Sequence, residues 1–385
     1  MDRIIYSFFI CLLFLQGSSA QSYLKVKAQK GDGIYVLLGR YGLDRHSCNM
    51  DQFCKLNSLK HSSYLIADKT YILPIQKYTY NGKSIRSTTG IEDWHTAKQI
   101  ERYNEMMCLF RLKSEDFRSG KKELWCPYHF KACLADLDKF VPTDRRFEIF
   151  GKKYEKVPLK DKTLAGAVYY LISGHGGPDP GAMAQYNNRN ICEDEYAYDI
   201  TLRLARNLLA HGAIVYLITR DNDGIRDETI LNCDDDETCW ENEKIPAGQK
   251  ERLTQRSDII NDLYRKNKAL GIDYQRTVEI HVDSRSKQER IDLFFYYYPQ
   301  SALGKGLAEK LHKIIQNKYA LYRRDGRYAG DVSERDLHTL REVIPTTVFI
   351  ELANIQNKFD QKRILLPQNR QALADWLAEG LQSDY

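Results

Sequence analysis

Four residues in the second half of this 385-residue chain have the types that can activate water against a carbonyl: His175, Glu193, His281 and Glu351. His175 sits in Gly174-His175-Gly176-Gly177, where flanking glycines let the backbone approach a ligand and expose the imidazole. Alone, a glycine-rich turn with a bystander histidine would be the commoner reading. Glu193 says more. Ala197, Ile200, Leu204 and Leu208 form an apolar helical stripe, and projecting it back one turn reaches Glu193. A carboxylate that continues a buried stripe must be paired or bind a cation. The plainer alternative is an acid near a helix N-terminus, favourable to the dipole. Glu195 is the competing choice, but it lies off the stripe. His281 comes near a strand end in Glu279-Ile280-His281-Val282-Asp283, and Glu351 follows Val348-Phe349-Ile350. A lone strand histidine is more often a satisfied core residue than a ligand. Taken together, His175, Glu193 and His281 make a His/Glu/His set of three, which leaves the fourth position of a zinc ion open for water. Zinc lowers the pKa of its water to about 7 and polarises a carbonyl, and Glu351 can pass the water proton to a leaving amine. The chemistry is amide hydrolysis.

The elements that must position these residues follow from residue 165 on. Val168 to Ile172 is a short apolar run ending at Ser173-Gly174, the pattern of a buried strand. Tyr196 to Leu209 reads as a helix stopped by His211-Gly212. Strands are expected at 213–219, 277–282 and 346–352, and helices at 253–266, 303–316 and 369–381. Such alternation predicts an α/β domain with a mostly parallel sheet flanked by helices, whose sites form beyond the carboxyl ends of the strands.

Residues 166 to 382 resemble the zinc-dependent N-acetylmuramoyl-L-alanine amidases. The resemblance runs through Gly174 to Ala182, Glu193, Thr219-Arg220-Asp221, Arg256 to Asn261, Ile280-His281, Leu340-Arg341, Pro345 and Glu351 to Asn357. It implies zinc held by His175, Glu193 and His281, a catalytic Glu351, and a peptidoglycan substrate cut between N-acetylmuramic acid and L-alanine. Three features depart from the family pattern. Asp194 stands where a lysine is usual. Glu279 replaces a small residue two before His281, on the same strand face. Residues 222–248 form an insert with the acidic run Asp234-Asp235-Asp236-Glu237 between Cys233 and Cys239. That insert leaves the sheet edge that carries the ligands, and is read as a cover, a substrate grip or a surface excursion.

The first twenty residues read as a secretory signal: Arg3, then the apolar stretch Ile4 to Leu15, then Ser18-Ser19-Ala20. The mature protein is therefore expected to be exported to the periplasm or cell exterior, with no membrane span. A formal charge of +5 suits an anionic wall polymer and equally serves solubility, and no basic run suggests nucleic acid. Eight cysteines follow Cys11, an even count that permits disulfides; Cys48 with Cys54 and Cys233 with Cys239 are near enough for local loops. Within 21–76, the order strand, helix, helix, strand resembles a LysM module, a small α+β binder of N-acetylglucosamine-containing glycans. Gly31-Asp32, Leu56-Asn57 and Ile72-Leu73-Pro74 carry the resemblance, and the insert around His46 to Asn49 departs from it. Residues 77–163 read as a connector or small domain with one helix over 94–110, and 164–385 as the catalytic domain. The rival functions are a zinc peptidase cutting within the stem peptide and an inactive peptidoglycan-binding protein. An activator protein is a further partner left open by the sequence.

Overall fold

A computed structural model describes residues 22–44, 46–132, 145–269, 271–323 and 327–385. The expected signal segment, Cys11 and Cys133 lie outside the described residues.

The N-terminal unit opens with β1 (Ser22–Lys27), α1 (Ile34–Arg40), α2 (Ser47–Asn57) and β2 (Thr70–Thr79). The two strands pair antiparallel. After α3 (Ile85–Thr89) and α4 (Trp94–Leu109), β3 (Glu123–Pro127) adds to the other edge of β2, and α5 (His129–Ala132) follows. β2 thus runs through residue 76, where a boundary was expected. Tyr103, Met106 and Met107 of α4 and Trp125 of β3 share one core with Leu37, Phe53 and Leu73.

The C-terminal domain begins with β4 (Val168–Ser173), buried throughout. β5 (Met183–Tyr186) and β6 (Arg189–Cys192) form a hairpin that delivers the chain to α6 (Glu193–Ala210). Next come β7 (Ile214–Leu217), the short β8 (Thr219–Arg220), β9 (Thr238–Cys239) and β10 (Glu243–Lys244), and α7 (Gln249–Ala269). The chain continues through β11 (Gln275–Asp283), β12 (Phe294–Tyr297), α8 (Ala302–Tyr322), β13 (Asp331–Glu334) and α9 (His338–Glu342). It ends with β14 (Thr346–Asn354), α10 (Lys358–Leu365) and α11 (Pro367–Asp384). The main sheet has the order β13-β12-β14-β11-β4-β7. Its four expected strands, β14, β11, β4 and β7, are mutually parallel, and β12 and β13 extend one edge, β12 antiparallel to β14.

Both faces of β4 are covered, which is why its sequence is a continuous apolar run rather than an alternating one. Tyr169 and Leu171 face a core shared with α6, α8 and α11. Val168, Tyr170 and Ile172 face Ile260 and Leu263 of α7. Phe150 and Val157, placed by sequence in the connector, are buried in the first of these cores. Arg145 donates to the Leu209 carbonyl at 2.9 Å.

Cysteine pairing does not follow the local loops that spacing allowed. Cys192 bonds Cys233 across 41 residues of sequence, and Cys54 and Cys239 are free. Cys48 is disulfide-bonded, but not to Cys54. Proximity in sequence did not decide the partner because β5, β6 and the insert bring Cys192 and Cys233 together in space. Among the described residues no helix is long and apolar enough to cross a membrane.

Candidate active site

The carboxyl ends of β4 and β11 and the start of α6 converge. His175 follows β4, held in the left-handed region at φ 64°, a costly conformation for a side chain with a Cβ. Its carbonyl accepts from Arg256 of α7. Gly174 must be glycine, because a Cβ there would lie 2.2 Å from the His281 ring. Gly181 has φ +68°, and a Cβ there would lie 2.7 Å from Glu193 and from the His175 ring, so it too has no room for a side chain.

Glu193 opens α6 and is 4% exposed. Its Oε1 accepts from the Val282 amide at 2.9 Å and faces His281 Nδ1 at 2.9 Å. Its Oε2 accepts from the Ala182 amide at 2.8 Å and faces His175 Nε2 at 3.3 Å. One donor atom from each of His175, Glu193 and His281 lies within 4.8 Å of the others. The remaining ring nitrogens are also engaged. His175 Nδ1 meets Asp179 at 3.0 Å, and Asp179 is paired with Arg252 at 2.6 Å. His281 Nε2 meets Glu279 at 3.2 Å. Glu279 is 1% exposed and meets the ring nitrogen opposite the one that faces Glu193. Carboxylates that orient the second nitrogen of a histidine are the usual support of a metal ligand.

Electrostatics point the same way. Burial opposes the His281 cation, but the hydrogen bonds with Glu193 and Glu279 overcome it and push the imidazole up to about 10. Burial likewise opposes charge on Glu193, and the hydrogen bond and charge of His281 hold it below its ordinary value. The proton that Glu193 and Glu279 hold on His281 is what a metal ion at this place would displace, and a His/Glu/His donor set fits a borderline dication. Glu195, the rival ligand, is turned away and pairs with Arg226 at 2.7 Å.

Glu351 stands beside His281 in the parallel register of β14 and β11, on the same sheet face. Burial raises it well above the carboxylate range, against the opposing charge of His281, with Glu193, Asp283 and Glu279 adding to the rise. Its Oε2 has no hydrogen-bond partner among the described residues. It is not one of the three clustered donors. Asp194 is buried, and burial, Glu237 and Glu195 push it up to about 9.

A cavity of ≈ 160 Å³ opens on the cluster and is lined by His175, His281, Asp179, Arg252, His338 and Phe349 among others. Asp179, Arg252 and His338 were not singled out as site residues by sequence. Asp179 had a readable signal, four residues after His175, but nothing local marked His338, whose Nε2 is buried without a partner. Among the described residues the lining contains none from 222–248. The insert instead backs the glycine loop: Glu237 accepts from the Gly177 amide at 2.6 Å, and Ile245 packs on Gly177. It also reaches the N-terminal unit, where Asn242 donates to the Lys30 carbonyl at 2.7 Å. A larger cavity of ≈ 740 Å³, bordered by Tyr35, Arg145 and Trp240, includes none of the candidate residues.

Comparison with known proteins then places the domain. Residues 170–383 match the sequence profile of the N-acetylmuramoyl-L-alanine amidase family. No curated protein matches the chain in sequence. Among solved structures, the CwlD amidase from Clostridioides difficile, in complex with the GerS lipoprotein, is similar at 19% identity and TM-score 0.43, covering 57% of this chain and 98% of that one. The catalytic domain of CwlV, an N-acetylmuramoyl-L-alanine amidase from Bacillus (Paenibacillus) polymyxa, is similar at 18% identity and TM-score 0.40, covering 56% and 97%. The N-acetylmuramoyl-L-alanine amidase AmiC2 of Nostoc punctiforme is similar at 18% identity and TM-score 0.39, covering 57% and 97%.

Proposed function

Since the chain belongs to the N-acetylmuramoyl-L-alanine amidase family and is thus an amidase of peptidoglycan, we propose that it works with a single zinc ion held by His175, Glu193 and His281. The observation that carries this reading is the convergence of those three donors within 4.8 Å, with each histidine braced on its other nitrogen by a carboxylate. Held by these three residues, a zinc ion would supply Lewis acidity toward the scissile carbonyl and toward water. Asp179 and Glu279 hold the two imidazoles in the orientation that presents a lone pair to the metal. Glu351, beside His281, accepts the proton of the attacking water and returns it to the L-alanine nitrogen as the amide breaks. Positive charge held by the neighbouring cluster would oppose the rise in its pKa and favour the carboxylate that accepts a proton. Arg252, Arg256 and His338 line the cavity as donors for the anionic or carbonyl groups of the stem peptide.

The protein acts outside the cytoplasm, exported by its first twenty residues, in wall remodelling or daughter-cell separation. Residues 21–76 bind the glycan in the manner of a LysM module; the antiparallel pairing of β1 with β2 around two helices supports this part of the reading.

Digestion of purified peptidoglycan by the zinc-loaded chain, followed by mass spectrometry, tests the proposal. Release of intact stem peptides with a free L-alanine amine is expected. Fragments cut within the stem would mark a peptidase, and absence of release would mark a wall-binding protein or an enzyme that needs an activator.

A further inference from the structure

Asp221, Asp234 and Asp236, at the start of the 222–248 insert and within it, take no part in the site above. Asp221, directly after β8, is 3% exposed. Its Oδ1 accepts from the Asp223 amide at 3.2 Å, while its Oδ2 is buried with no hydrogen-bond partner among the described residues. Carboxylate oxygens of Asp221, Asp234 and Asp236 lie within 4.8 Å of one another, with Asp221 as a buried floor and the other two exposed at the mouth. Arg226 is the basic group nearby, and it is engaged with Glu195 at 2.7 Å and Asp223 at 2.5 Å. Among the described residues no ion pair reaches Asp221, Asp234 or Asp236.

A buried carboxylate facing two more, with no cation, is expensive. Burial, then Asp223 and Asp236, push Asp221 up to about 8. The donors are all hard oxygens, which suit calcium and disfavour the softer metals that histidine and thiolate select. We infer that Asp221, Asp234 and Asp236 form a second cation site, taking a divalent oxygen-seeking ion such as calcium, distinct from the His/Glu/His cluster. The ion joins two turns that already lean on α6. The Asp221 amide donates to the Tyr198 hydroxyl at 2.9 Å, and the Asp234 amide donates to Glu195 at 3.0 Å. The disulfide from Cys233 reaches Cys192, the residue before Glu193. Filling the site therefore fastens the insert to the helix turn that presents Glu193.

The test uses the full chain, freed of loose ions on a chelating resin, reloaded with zinc, and titrated with calcium chloride by calorimetry. The wild type should take up one calcium per chain, with a dissociation constant on the order of 10⁻⁴ M, as for extracellular modules. Asp234→Asn/Asp236→Asn, changed only at exposed positions, should bind at least about tenfold more weakly because it loses two ligand charges. Its zinc content should be unchanged. Asp235→Asn, an exposed neighbour outside the cluster, should bind like the wild type. Calcium should also raise the melting temperature of the wild type and leave that of the double variant where it was. No uptake by the wild type, or equal uptake by the double variant, overturns the inference. So does equal weakening by Asp235→Asn, which would mean diffuse binding to an acidic surface.

Discussion

At the scale of single residues, the proposed zinc ligands and the proposed base must separate experimentally. Alanine at His175, Glu193 or His281 should abolish metal content and activity together; a His281→Ala protein that kept full zinc by elemental analysis would remove that ligand from the assignment. Glu351→Gln keeps shape but cannot accept a proton, so it should keep zinc and lose about 10²-fold or more in turnover. Near-normal turnover with metal in place would exclude Glu351 from the chemistry. Glu279 supports a proposed ligand from its other side. Because its carboxylate holds His281 Nε2 at 3.2 Å, Glu279→Gln should weaken zinc binding by about 10- to 100-fold, the usual effect of losing such a partner. Competition against a metal chelator measures this; an unchanged affinity would make Glu279 a bystander.

At the scale of elements, α5 and α2 carry a pH response of their own. The His129 ring stacks on His46 with centroids 4.0 Å apart, and its Nδ1 lies 3.0 Å from the Asn49 amide nitrogen. The Asn49 carbonyl oxygen accepts from the His129 amide at 3.1 Å, so the Asn49 nitrogen is turned to donate and the ring to accept. Burial, then the His46 charge, lower His129 to about 3. The ordinary histidine value is about 6.5, so the unfolded chain takes up this proton first. Stability is therefore complete above pH 6.5 and declines as pH falls toward 3. At pH 5 the loss is about 2 kcal/mol. His129→Gln should flatten the melting temperature between pH 7 and 5; an unchanged slope would assign the response to other groups.

At the scale of the whole molecule, the catalytic domain is larger than the alternating region read from sequence. Phe150 and Val157 are buried in its core, and Arg145 is bonded to the end of α6. A chain starting at Arg145 should fold and cleave small soluble muropeptides. One starting at Leu164 should melt lower, because losing two buried apolar side chains costs on the order of several kcal/mol. Both should bind intact sacculi more weakly than the full chain if residues 21–76 anchor it. Equal sacculus binding by the Arg145 chain would place the anchor elsewhere, and equal melting of the two short chains would show that 145–163 adds nothing.

What the sequence alone determined is what local pattern and residue type can carry. The apolar run of β4 announced a strand covered on both faces, the stripe of α6 pointed back to Glu193, and four residues suited to amide chemistry fell at element ends. Only the tertiary structure decided which distant groups meet. Cys233 had a nearer candidate in Cys239 yet joined Cys192. β3 lay in an apparent connector and became an edge of the N-terminal sheet. β12 and β13 are only four residues each, too short for period to reveal. His338 reaches the cavity from a helix far along the chain, with no spacing to announce it. The physical reason is common to all of these. Periodicity records which face of an element is buried, whereas partners across the sheet, across a disulfide or around a metal are chosen by the packing of segments that sequence leaves far apart.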